Sequence, residues 1–153
     1  MNPHVNWTPI TEDSVRAAKF SGILTKARSM ASSQGDSDPL PEAIADVVSQ
    51  IRASISVGNT IDIDVASIPN SLKALALRMI VRRIKDYVEY PLREDERKQA
   101  SDDLSYLNRI IDSKIRFELP DNPAGSSNIQ TAGELDVVSS ERTNTRHSMN
   151  GLF

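Results

Sequence analysis

Residues 69–90, PNSLKALALRMIVRRIKDYVEY, constrain the fold more than any other stretch of this chain. Pro69, Asn70 and Ser71 are helix start signals and Pro91 is a stop, so the segment reads as one long helix. At about 100° per residue, Leu72, Ala76, Leu77, Met79, Ile80, Val81, Ile84, Tyr87 and Val88 fall on roughly 200° of its circumference. An ordinary surface helix carries a stripe about half as wide. The spacing therefore predicts a nearly enclosed helix with neighbours on at least two sides. Arg78, Arg82, Lys85 and Glu89 share the remaining polar sector. Arg83 falls inside the apolar arc, where its head must reach a carboxylate or the surface.

Further helices are expected on both sides of it. Thr11 is an N-cap candidate, with Glu12 and Asp13 suited to a first turn and Val15, Ala18 and Phe20 on the apolar side. A second piece is expected over 22–30, with a break at Gly22, followed by a loop over 31–38. Asp38 and Pro39 form an N-cap and N1 pair ahead of a helix over 40–57. Its apolar positions are Ile44, Val47, Val48, Ile51 and Ile55, and Gly58 and Asn59 close it. Residues 94–116 read as the last helix, with Ala100, Leu104, Leu107, Ile110, Ile111 and Ile115 as its buried stripe. The carboxylates of Glu94, Asp95 and Glu96 suit its N-terminus, and Asp102 and Asp103 are expected on a solvated face. Only a few residues separate it from the 69–90 helix, so the two are expected to pack as a long antiparallel pair.

Residues 60–66, TIDIDVA, alternate strictly and place Ile61, Ile63 and Val65 on one side of a predicted strand. A lone strand is not stable, so the segment is expected to pack on the helices or to meet another chain. Its two aspartates lack the glycine and later acidic ligands of a calcium loop.

The expected architecture is all-α: an N-terminal arm over 1–10 held by Trp7 and Ile10, a helical domain over 11–119, and an extended arm over 120–153. Half of the last 34 residues are Ser, Thr, Asn, Gly or Pro, too few apolar groups to order the segment by itself. Within it lie a β-prone island, Leu135, Val137 and Val138, and an apolar tip, Met149, Leu152 and Phe153. With Arg146, these are the candidate partner contacts of the arm. Arg78, Arg82, Lys85, Ile61 and Ile63 are the candidate subunit contacts within the domain.

Catalytic patterns are not found. The sequence has no cysteine, which excludes disulfides, thiolate zinc sites and a cysteine nucleophile and fits a reducing compartment. The two histidines, His4 and His147, stand alone near the two ends. No phosphate-binding loop, dinucleotide fingerprint, zincin helix or nucleophile elbow occurs. We therefore expect no enzyme activity, no cofactor and no metal. No apolar run reaches membrane-spanning length and no signal-peptide core is present, so the chain is expected in the host cytoplasm when made. The net charge of −3 draws it to no polyanion as a whole. A small helical DNA-binding or regulatory protein using the Arg78–Lys85 face is the alternative reading, without the aromatic interleaving of single-strand binders or a helix-turn-helix.

The order of elements resembles the head-to-tail connector, or head-completion, proteins of tailed bacteriophages. The resemblance covers roughly residues 9–120. It rests on Ile10, Thr11 and Val15, then Ile44, Val48, Ile51 and Ile55. It continues through Ile68, Pro69, Leu72, Lys73 and Ala76 to Ile80, Arg83 and Tyr87, and closes with Ala100, Leu104, Leu107, Ile110, Lys114, Leu119 and Pro120. The P-x-x-L-K-x-x-A opening of the central helix is its most specific part. Ser113 stands where the family has glycine before the lysine, and the arm after Pro120 is longer than a minimal member needs. The resemblance implies a virion protein at the head–tail interface, present as a ring of about a dozen copies beneath the portal. It would extend the channel through which genomic DNA passes without sequence recognition, and dock the next neck or tail protein. Its partners would be the portal protein, neighbouring copies of itself and that downstream protein, with no membrane involved.

Overall fold

The computed structural model describes residues 6–17, 20–117 and 119–124. Among them the fold is largely helical. It is not purely all-α, because a small antiparallel sheet joins the N-terminal segment to the middle of the chain. Strand β1, Trp7–Pro9, pairs with β2, Ser67–Pro69, in the register Trp7↔Pro69, Thr8↔Ile68, Pro9↔Ser67. Trp7 and Ile10 are buried, so the start of the described chain is held as expected.

Helix α1, Glu12–Arg16, is a short turn capped by Thr11, whose hydroxyl accepts from the Ser14 amide. Helix α2, Ser21–Gln34, begins just before Gly22 rather than breaking there. It also runs through the serines assigned to a loop, because Ala31 is buried in the core. Gly35, at φ 76°, ends it, and the Asp36 amide donates to the Ala31 carbonyl.

Helix α3, Pro39–Ser56, is the hub of the domain. Asp38 caps it, accepting from the Leu40 amide at 3.1 Å. Leu40, Val47, Ile51 and Ile55 are fully enclosed. It packs most extensively on α4, Lys73–Tyr87, and next on α5, Glu94–Ile111. The expected primacy of the 69–90 segment is therefore corrected. Its first residues form β2 and a 3-10 turn, Asn70–Leu72, before α4 starts. The buried face of α4 is Leu75, Ala76, Ile80 and Ile84, whereas Leu77, Met79 and Val81 are only half-buried.

Helix α5 lies at the periphery and is shorter than its apolar pattern suggested. Leu107 and Ile110 are buried, but Leu104 is 56% exposed and Ile111 41%. Beyond Asp112 the chain turns at Ser113, whose φ of 57° is left-handed. Gly58, just after α3, lies against this turn: a Cβ there would sit 2.2 Å from Ser113 Oγ. Only glycine permits that approach of the two helix ends without displacing the serine.

The predicted strand over 60–66 is not one. Asp62 is buried, Ile61 half-buried, and Ile63 and Val65 are 68% and 77% exposed. The alternation is produced by aspartates that fold the backbone, not by a pleated face. Asp62 Oδ1 accepts from the Asp64 amide at 2.8 Å. Asp64 in turn accepts from the Ala66 amide at 3.0 Å and the Ser67 hydroxyl at 2.7 Å. These are side-chain turns of the Asx type. The far end of the described chain closes on the same loop. The Ile63 amide donates to the Asn122 carbonyl and the Ala124 amide to the Ile61 carbonyl, each at 2.8 Å, around an antiparallel bridge between Asp62 and Pro123. The packed unit thus continues past Pro120 to Ala124.

Candidate functional site

Two clusters organise the surface that carries the sequence-derived contact residues. The first is the seam between α4 and α5. Asp103 is almost completely buried, against the expectation of a solvated face. Its carboxylate accepts from Arg78 Nη2 at 2.7 Å, Arg78 Nε at 3.3 Å and Arg82 Nη2 at 2.6 Å. Burial pushes its pKa up, but the two guanidinium groups outweigh this and hold it below the usual carboxylate range. One turn further, Lys85 is buried, pairs with Glu96 and lies 5.6 Å from the Tyr90 ring centroid. The lysine is also the main reason the Glu96 carboxyl titrates low. Arg83 reaches Asp46 on α3 at 3.2 Å, as its place in the apolar arc required.

Arg78, Arg82 and Lys85, the candidate subunit contacts of α4, tie that helix to α5 through the buried carboxylate of Asp103 and the half-buried one of Glu96. The signal that sequence reasoning missed is Asp103, whose spacing from Leu107 and Ile110 puts it on the buried face. Beside the seam, a groove of about 380 Å³ opens over Met79, Leu92, Ala100, Leu104 and Leu107. A second, of about 400 Å³, lies between α3 and α4, where Tyr87 donates to Asp36 at 3.3 Å near Glu42 and Asp46. Among the described residues no group of three or more acidic, histidine or cysteine side chains is placed to hold a metal. Nor is any helix among them long and apolar enough to cross a membrane.

The second cluster is the loop at the far end of α3. Arg52 is 8% exposed and its guanidinium is spent on backbone carbonyls. It donates to Asp64 and Ser67 from Nη1 at 2.8 and 2.7 Å, and to Asp62 from Nη2 at 2.6 Å. Its other side stacks 5.9 Å from the Trp7 ring centroid. Burial lowers its pKa, and Asp62 and Asp64 oppose that shift. Sequence reasoning did not single out Arg52. Its position in an otherwise apolar helical series was the available clue. By fixing three carbonyls inward, it leaves the intervening side chains of Ile63 and Val65 outward.

Those two residues belong to a group. Val57, Ile63, Val65, Ile111 and Leu119 are all exposed, from 41% to 77%. The segments that carry several of them are tied to one another by the Ile63–Asn122 bond, by the Gly58–Ser113 approach and by Asn6, whose Nδ2 donates to the Leu119 carbonyl at 3.3 Å. Of the two candidate contacts in this loop, Ile63 is exposed and Ile61 is half-buried. The arm candidates Leu135, Val137, Val138, Arg146, Met149, Leu152 and Phe153 lie outside the described residues, as do His4 and His147. Comparison with protein-family models, curated proteins and solved structures returned no match.

Proposed function

We propose that this chain is a structural ring subunit of a bacteriophage neck, a head-to-tail connector protein without catalytic activity. The observation that carries the reading is Ser113. The family pattern has glycine at this place, and the backbone here takes the left-handed conformation that glycine favours, at φ 57°. A serine thus holds here the backbone conformation that a glycine would adopt most readily. The exposed side chains of Val57, Ile63, Val65 and Leu119 support the same reading, since large apolar groups left at the surface suit a protein interface.

In this reading α4 and α5 are an antiparallel pair and form the rigid part of a wedge. The opposite order of Arg78 with Asp103 and Lys85 with Glu96 along the two helices supports that pairing. Neighbouring wedges close a ring around the DNA channel, and the segment after Ala124 tethers the subunit to the portal. The protein stays with the virion, at the head–tail interface, after assembly in the host cytoplasm. A DNA-reading role for the Arg78–Lys85 face is less well supported, because Arg78, Arg82 and Lys85 already face carboxylates. The test is native mass spectrometry of the full chain over rising concentration, alone and with the portal ring. A closed species of about twelve copies is expected. A monomer under every condition overturns the proposal.

A further inference from the structure

Helix α3 carries two unlike features on opposite flanks. Gln50 and Arg52 are two residues apart, which sets them about 200° apart around the helix axis. Arg52 holds the loop over 62–67 through three of its carbonyls. Gln50, which accepts from Arg83 at 3.5 Å, lines the groove of about 380 Å³ between α3, α4 and α5. A loop with Ile63 and Val65 exposed thus stands on one flank, and an apolar groove opens on the other. We propose that the loop bearing Ile63 and Val65 of one copy seats in this groove of the next copy, a contact that rests on the ring reading and specifies how its subunits meet.

Placement, rigidity and charge select a second copy as the occupant. Two different surfaces on opposite flanks meet head to tail, and such a contact repeats around a ring, whereas a two-fold dimer needs a patch that matches itself. The loop is fixed before it binds. Arg52 and the side-chain turns of Asp62 and Asp64 set its backbone, so little ordering remains to oppose docking. Both partners have apolar surface to cover: Ile63 and Val65 on the loop, and the exposed Leu104 with half-buried Met79 and Leu92 in the groove. Asp64, between the two apolar residues, is exposed, and the Ser67 hydroxyl and Ala66 amide hold its carboxyl below the usual range, so it arrives charged. The groove answers with cations. Arg78 and Arg82 share the single carboxylate of Asp103, which leaves one positive charge in excess, and Arg83 stands half-exposed at the mouth. Asp86 on the same rim opposes the loop, so Asp64 is placed toward Arg83 and away from it.

The sequence has no cysteine, so single cysteines report the contact directly. Full-length Val65→Cys protein is mixed with full-length Leu104→Cys protein under mild oxidation, and the assembled mass is read in parallel by native mass spectrometry. Both positions are exposed, so neither substitution disturbs the core. The mixed disulfide is expected to form about tenfold faster than either like-with-like dimer, since neither surface meets itself. Adding Ile63→Asp to the Val65→Cys protein should bring that rate down to the like-with-like level while circular dichroism stays unchanged. Equal rates in all three pairings would overturn the inference. So would a Leu104→Cys thiol protected from alkylation only when the portal ring is added, which would assign the groove to that partner. A closed ring without the mixed disulfide removes this contact and leaves the ring standing. Disulfide-linked chains that never close keep the contact and remove the ring.

Discussion

Arg52 decides the shape of one end of the molecule. A guanidinium offers several donors in a fixed plane, and here it satisfies three carbonyls that a loop could not pair by itself. Arg52→Met keeps the volume and removes the donors. It should cost about 2–4 kcal/mol of stability in urea unfolding, through buried carbonyls left without partners. A change below about 0.5 kcal/mol would mean that water replaces the arginine. Ser113 stores a smaller strain of the opposite kind. Ser113→Gly should stabilise the domain by about 1 kcal/mol, because a left-handed residue with a Cβ is costly. Gly58→Ala should destabilise it, and less so in the Ser113→Gly background, where the opposing hydroxyl is gone. Equal effects of Gly58→Ala in both backgrounds would show that the two sites do not touch. None of this was visible in the alternation of residues 60–66, which is a strand pattern by period alone. Asp62 and Asp64 carried the information, as residues that hydrogen-bond their own backbone, and the partner that fixed the outcome lay ten residues upstream.

Helices α3 and α4 were legible because their apolar spacing is regular and their ends carry Asp38, Pro39 and Pro91. Helix α5 was legible in extent only at its start. Its apolar residues outnumber those the core receives, so Leu104 and Ile111 remain at the surface, and the Arg78–Asp103–Arg82 cluster adds a charged attachment to the packing of Leu107 and Ile110. That attachment has a pH dependence. The Asp103 carboxyl titrates below its ordinary value in the folded state, so its contribution is fully present above the unfolded value of about 3.9. It is lost as the pH falls through the folded value. The domain should therefore lose stability below about pH 4 more steeply than Asp103→Asn does. The variant should be weaker at neutral pH by about 1–3 kcal/mol, because Arg78 and Arg82 lose their shared anion. Parallel acid limbs for the two proteins would place the titration elsewhere. Amide exchange should localise the neutral-pH loss to α5, and a loss spread evenly over all helices would contradict its peripheral attachment.

At the scale of the whole molecule, a helical unit with its own core is joined to a long polar segment. The described packing runs past Pro120, since residues 121–124 bond to Asn6, Asp62, Ile61 and Ile63. A chain ending at Ala124 should keep the helical content and unfolding midpoint of the full protein. A chain ending at Pro120 should unfold earlier, as Asp62 and Asn6 lose partners. Equal midpoints for the two would remove 121–124 from the packed unit. The pattern of connector residues, from Ile10 to Pro120, could be read only as a resemblance, because most of them are core positions that many helical bundles share. The ring proposed for them is a property of the assembled protein. Electron microscopy of the concentrated protein, and of the protein mixed with the portal ring, tests it most directly. The account predicts closed rings of about twelve subunits with a central channel. Fields of isolated small particles in both samples would contradict it.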